Sequence, residues 1–263
     1  MSRVDRVRQA FLQNKPEQIK QAHSVEAIHQ DIHHNEAHLK GFNLPEIILG
    51  GQDGLVNVLG VILGIAAATS SGPIVIIAGL SATFAESISM AAVAYTSKLA
   101  EADYYQSELE RERWEIEHVP EGEKEEIRAL YENLGFKGTV LDDIVGKITS
   151  DKKIWLQVMM EQELKLEPVD RKAAIPAAII VGVAAVIGSV IPLLPFFFLS
   201  IKNAIIVSLV ISAISLFIVG YYKAKKTIGR QLLKQGIEMM IIGMVSALVG
   251  YFIGSLFKIS PAG

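Results

Sequence analysis

Glu86-Ser-Ile-Ser-Met90 and Glu101-Ala-Asp-Tyr-Tyr-Gln-Ser-Glu-Leu-Glu-Arg-Glu-Arg-Trp-Glu-Ile-Glu117 lie on one stretch that neither proline nor glycine interrupts from Ser87 to Val119. Its first part is apolar and reads as the end of a membrane span. Its second part is crowded with carboxylates and reads as a helix in water. One unbroken helix of this kind would carry metal-binding side chains from solvent into a bilayer.

The totals agree with that division. The chain has 263 residues, is 51% hydrophobic and carries a net charge of −3. Residues 101–167 hold 18 Asp and Glu against 9 Lys and Arg, a net of −9, which leaves +6 for the rest. An acidic island in a mildly basic, apolar chain points to cations as ligands and away from nucleic acid. With no cysteine in the chain, disulfides and thiolate metal sites are excluded. No cleavable signal peptide is visible in the polar first forty residues.

The expected fold is an all-α integral membrane protein with five transmembrane helices. A cytoplasmic three-helix metal-binding domain is inserted between helices 2 and 3. Residues 1–43 form a polar, amphipathic helical segment, with a helix from Pro16 onward and an apolar stripe of Val25, Ile28, Ile32, Leu39 and Phe42. Residues 44–98 hold the first two spans, Ile47 to about Ala68 and Ile74 to Tyr95, joined at Ser70-Ser-Gly-Pro73. Gly60 and Gly64, four apart, would admit a close helix partner. Residues 99–170 form the acidic domain: the polar end of the long helix, a helix from near Glu123, a short one over Val140–Ile148, and a last helix from an Asp151 cap to Pro168. Residues 171–263 supply spans over Ala173–Ile191, from Ile205 to Tyr222 and over Ile237–Phe257. Pro192 and Pro195 bracket a tight turn.

Arg171 and Lys172 precede the third span, and Lys223, Lys225, Lys226 and Arg230 lie between the fourth and fifth; the opposite loops offer little but Lys202. The positive-inside rule therefore places the N-terminus and the acidic domain in the cytoplasm. The absence of a transit signal leads us to expect a prokaryotic cell membrane rather than a vacuolar one.

Depth selects the candidate transport residues. Asp53 lies about 9 Å inside the cytoplasmic start of span one, while Met90 and Glu86 lie about 7 and 13 Å from the cytoplasmic end of span two. Glu238 stands at the cytoplasmic side of span five. Ionisable residues at such depths face a pathway or a partner. Glu86 and Met90, four apart, share a helix face. Carboxylate with thioether leans toward Fe²⁺ or a neighbouring transition ion, whereas Met90 as ordinary packing is the alternative.

In the acidic domain, Glu112 and Glu115, Glu123 and Glu126, and Met159 and Glu163 form pairs three or four apart. Packed helices could bring the six into one metal cluster, or they could be solvated faces. Glu26, His29, His33 and Glu36 stack along one side of the N-terminal helix, as a further metal face or as a solvated one. Glu26-Ala-Ile-His29 and Glu115-Ile-Glu-His118 have the spacing of di-iron carboxylate bundles.

Gly51-Gln-Asp53-Gly54-Leu55, Ile88-Ser-Met90-Ala, Glu101-Ala-Asp-Tyr-Tyr, Trp155 with Met159-Met-Glu-Gln-Glu163-Leu-Lys-Leu-Glu-Pro168, and Ile191-Pro-Leu-Leu-Pro195 together resemble the vacuolar iron transporter family over roughly residues 43–257. The resemblance implies a homodimeric five-span exporter of cytosolic Fe²⁺, driven by counterflow of protons, and not an enzyme. It implies that Asp53 and Met90 serve transport and that Glu112, Glu115, Glu123, Glu126, Met159 and Glu163 bind metal in the cytoplasm. The chain departs from the plant-type pattern in one respect. Ala82 stands where the family's glutamate is expected, and Glu86 lies one turn nearer the methionine.

The expectation is thus a divalent-metal transporter for Fe²⁺, with Mn²⁺, Co²⁺ or Zn²⁺ as further ions and with the lipid bilayer, protons and a second copy as partners. The rivals are a membrane-anchored di-iron oxidase or iron store, and a metal sensor.

Overall fold

A computed structural model of the chain describes residues 6–7, 10–11, 13, 15–24, 44–227 and 229–257. Among these residues the elements are helical: α1 (Pro16–Ala22), α2 (Leu44–Thr69), α3 (Gly72–His118), α4 (Pro120–Asn133), α5 (Gly138–Thr149), α6 (Lys152–Val158), α7 (Ala174–Leu193), α8 (Pro195–Phe198), α9 (Ile201–Thr227) and α10 (Leu232–Leu256). A π-helical turn (Met159–Glu163) follows α6, and a 3-10 turn (Arg171–Ala173) precedes α7. Five helices among the described residues are long and apolar enough to cross a membrane: α2, α3, α7 with its preceding turn, α9 and α10. Glu26, His29, His33 and Glu36 lie outside the described residues.

The chain divides into two compact units, residues 1–90 with 180–263, and residues 91–179. α3 contributes its first part to one unit and its remainder to the other.

In the first unit α2 is the hub, because its sequence gives three sides different small or apolar surfaces. Val58, Ile62 and Ala66 pack with Val75, Leu193, Phe196 and Ala204. Leu55 meets Leu216 and Met239, and Leu59 and Leu63 meet Ala247. Glycines bring the backbones together. A Cβ on Gly254 would lie 2.0 Å from the Gly64 carbonyl oxygen, and one on Gly250 would lie 2.5 Å from that of Gly60, so α2 and α10 touch through paired Gly-x-x-x-Gly faces. The close partner expected for Gly60 and Gly64 is thus α10. Against α7, a Cβ on Gly188 would lie 2.0 Å from the Gly51 oxygen.

The outer surface is the inverse of that of a water-soluble bundle. Along α9 the inward row is Ala204, Ser208, Ser212, Leu216, Gly220 and Ala224, whereas Ile206, Val210, Ile214 and Ile218 are more than half exposed. Large apolar side chains outside and small ones at the helix contacts are what a hydrocarbon solvent selects.

Two boundaries differ from expectation. The turn between Pro192 and Pro195 is confined to Leu194; Pro192 itself lies inside the last turn of α7, and its carbonyl oxygen accepts a 2.7 Å hydrogen bond from Ser208 Oγ. The helix capped by Asp151, which accepts from the backbone N–H groups of Lys153 and Ile154, stops being α-helical at Val158. It widens into the π turn, closed by the Leu164 N–H on the Met159 oxygen at 3.0 Å, and does not reach Pro168.

The second unit has its own core of Ile116, Ile127, Leu141, Val145, Ile148, Trp155 and Met159. Pro120 begins α4, with Glu121 and Glu123 in the first turn where the helix dipole favours carboxylates. Arg128 links α4 to α5 through Asp142 at 2.7 Å. Arg171 pairs with Asp103 on α3.

Candidate metal sites

The first candidate site lies on one face of α2 and α3. Asn57 Nδ2 donates a 2.8 Å hydrogen bond to Glu86 Oε1. Asp53, one turn before Asn57, interacts with the same Glu86 carboxyl. Met90 follows Glu86 by one turn. Asp53, Glu86 and Met90 are half-buried and Asn57 is exposed. Ala82, one turn earlier on α3, packs against the apolar cluster of Val58 and Ile62. A carboxyl there would be driven into hydrocarbon contacts, whereas position 86 meets polar partners. Glu238 is not joined to this group by a hydrogen bond among the described residues; its partner is Gln235 on the same helix, at 3.3 Å.

The second candidate site is the carboxylate cluster of the acidic unit. One oxygen from each of Glu112, Glu115 and Glu123 lies within 4.8 Å of the others. At that separation and an effective dielectric near 20, two unit negative charges repel by about 3.5 kcal/mol. Protons or cations must relieve that repulsion. Glu112 is 1% exposed and Glu123 4% exposed, and the Oε2 atom of each has no hydrogen-bond partner. Glu126 and Glu163 approach each other closely enough to hydrogen-bond, and both act electrostatically on Glu123.

The electrostatics follow from burial first. Burial pushes the Glu123 carboxyl up to about 7, with Glu126, Glu112, Glu115 and Glu163 adding repulsion. Burial likewise raises Glu163 to about 7, with Glu126 and Glu112 as further causes. Glu112 is raised by burial and lowered in part by Arg111. Glu123 and Glu163 therefore exchange protons near neutral pH, where a cation competes for the same oxygens.

Five of the six residues expected in the cluster, all but Met159, are thus joined by proximity or by field. Met159 is fully buried in the apolar core with Ile127 and Trp155, at the start of the π turn that carries Glu163. A π turn advances by more residues than an α turn, so the four-residue spacing of Met159 and Glu163 does not set a shared face as an α-helix would.

Three participants were not among the expected site residues. Arg111 bonds to Glu108 at 2.8 Å, Glu112 at 2.7 Å and Glu115 at 2.5 Å, placing a guanidinium at the rim of the cluster. Glu108 enters through it. The spacing Glu108, Arg111, Glu115 was a readable signal, three and four apart on one helix. Asn57, four after Asp53, was another. His118 does not complete a Glu-x-x-His site: its ring stacks on Trp114 with centroids 4.4 Å apart, and Nδ1 pairs with the Trp114 carbonyl at 2.8 Å.

Comparison with known proteins gives the same direction over most of the chain. A profile of the VIT family matches residues 44–255. Vacuolar iron transporter 1 of Oryza sativa subsp. japonica is 34% identical over 227 residues, covering 86% of this chain and 90% of that protein. Vacuolar iron transporter 1 of Arabidopsis thaliana is 33% identical over 228 residues, covering 86% and 91%. The vacuolar iron transporter of Toxoplasma gondii is 29% identical over 269 residues, covering 97% and 89%. A multi-pass helical chain matched from α2 to α10, with relatives of one kind along nearly their whole length, belongs to the VIT family.

Proposed function

We propose that the chain transports divalent metal, Fe²⁺ first, out of the cytosol in exchange for protons. The observation that carries this reading is the approach of Asp53 to Glu86, with Asn57 bonded to the same carboxyl, on two helices able to span a bilayer. Two acidic groups at membrane depth weaken a bundle unless they serve a pathway. The names of the relatives supply iron as the ion.

In this reading the acidic unit faces the cytosol, the side favoured by the basic residues flanking the spans, and gathers the ion. Oxygens bound to one ion at about 2.1 Å stand about 3 to 4.2 Å apart, so the Glu112, Glu115 and Glu123 oxygens need only a small inward movement to share one. The unpaired Oε2 atoms of Glu112 and Glu123 favour such an occupant. Glu126 and Glu163 complete the set of oxygens, and Met159, buried in the apolar core, is its proposed thioether neighbour. The ion then passes to Asp53, Glu86 and Met90, with Glu238 at the cytoplasmic mouth, and is released as protons take the carboxylates. A homodimer is assigned because Asn57 is exposed and Asp53 and Glu86 only half-buried, a polar face that a second copy would shield from lipid.

The test is flux into sealed proteoliposomes under an imposed pH gradient. Fe²⁺ uptake that collapses with the gradient, and that falls at least tenfold in Asp53→Ala and Met90→Ala, is expected. Equal transport by the parent and both variants would refute the route.

A further inference from the structure

We propose that Asn57 is a positioning and selectivity residue of the intramembrane site, orienting Glu86 through its amide N–H and giving the ion a neutral oxygen through its carbonyl. This rests on the transport reading and adds to it a residue that the family resemblance does not supply.

Asn57 and Asp53 are four apart on α2, and Glu86 and Met90 are four apart on α3, so each helix presents two candidate ligands on one face. The 2.8 Å bond from Asn57 Nδ2 to Glu86 Oε1 ties the two faces together across the helix pair. The same Glu86 carboxyl also interacts with Asp53, so all three polar groups converge. A primary amide has its donors on nitrogen and its ligating lone pairs on oxygen. Donation from Nδ2 to Glu86 therefore leaves Oδ1 as the atom Asn57 can offer to a cation.

Charge explains why an amide suits this position. Two carboxylates and one divalent ion sum to zero, and a net charge at membrane depth is costly. Further ligands must then be neutral, and an amide oxygen and a thioether both are. Asparagine adds coordination without adding charge, whereas aspartate would leave the loaded site negative. The bond also accounts for the displaced acidic residue. Ala82 packs into the apolar cluster of α2, and Glu86, one turn further on, finds Asn57 and Asp53 opposite it.

A neutral oxygen ligand has a consequence that mere packing lacks, since its replacement should change which ions pass. Imidazole keeps an N–H donor and a ligating atom but suits Zn²⁺ and Co²⁺ better than Mn²⁺. Leucine keeps the bulk and loses both functions.

The experiment compares parent, Asn57→Leu, Asn57→His and Asp53→Ala in proteoliposomes, with Fe²⁺, Mn²⁺, Co²⁺ and Zn²⁺ measured singly at one fixed pH gradient. Asn57→Leu is expected to raise the KM for Fe²⁺ about tenfold, with the maximal rate within about threefold of the parent. Asn57→His is expected to retain flux and to raise the Zn²⁺-to-Mn²⁺ rate ratio at least threefold. An unchanged KM in Asn57→Leu, or an unchanged ion ratio in a transporting Asn57→His, would overturn the assignment while leaving the transport reading intact. Absence of flux in the parent itself would overturn both. Elution of each variant in detergent at the parent's volume separates lost function from lost fold.

Discussion

Arg111 and the carboxylates around it make the acidic unit sensitive to pH and metal in a defined direction. In the folded, metal-free protein Glu123 and Glu163 hold protons up to about 7, above the ordinary carboxylate range. Between about 4.5 and 7 the folded state thus keeps protons that the unfolded chain has released. Stability from these groups is full at the acidic end and is lost as pH rises through about 7. Hydrogen exchange over residues 91–179, corrected for intrinsic rates, should therefore show protection falling from pH 5.5 to pH 8 without metal and returning when Co²⁺ is added at pH 8. Protection that rises with pH would contradict this. Co²⁺ affinity at the cluster should increase by about tenfold or more over the same interval as protons stop competing. Arg111→Gln should remove the guanidinium from Glu108, Glu112 and Glu115, lowering metal-free stability by about 1 kcal/mol, discounted because Arg111 is partly in water. The same exchange measurement checks it. Residue types and their spacing made the carboxylate partners legible before the fold was known. The three- and four-residue spacing of Glu108, Arg111 and Glu115 pairs them along the helix, but spacing alone does not say that Arg111 also meets the buried Glu112 at the rim of the cluster. Nor could it show that Met159 sits in the apolar core, which depends on how the helices of this unit pack.

At the scale of elements, the five apolar helices and the uninterrupted α3 were readable because length and composition nearly suffice for a membrane span. Two local details were not. Pro192 lies in the last turn of α7, where its carbonyl has no intrahelical partner and takes Ser208 of α9, a tertiary contact absent from the local pattern. The π turn at Met159–Glu163 arises where α6 must place Met159 in the core and also carry Glu163, and no propensity scale marks such a turn. The Gly60 and Gly64 face was legible as spacing, and the structure names Gly250 and Gly254 of α10 as its partner. Gly254→Leu should separate α10 from α2, since even its Cβ would lie 2.0 Å from the Gly64 carbonyl oxygen. A fall of several degrees in the thermal midpoint of the detergent-solubilised protein is expected. Gly72→Ala should leave it within about one degree, because nothing lies within 4 Å of that added carbon. Equal midpoints for both variants would contradict the packing described.

For the whole molecule, membership of the VIT family frames the proposal that a metal ion moves stepwise from the carboxylate cluster to the membrane pair. The most direct measurement is Fe²⁺ flux in proteoliposomes with the pH gradient imposed, abolished and reversed, for the parent and for Asp53→Ala. Transport by the parent that follows the sign of the gradient, and that falls at least tenfold in Asp53→Ala, is expected. Iron movement indifferent to the gradient, or undiminished without the Asp53 carboxylate, would contradict proton-coupled passage through this site.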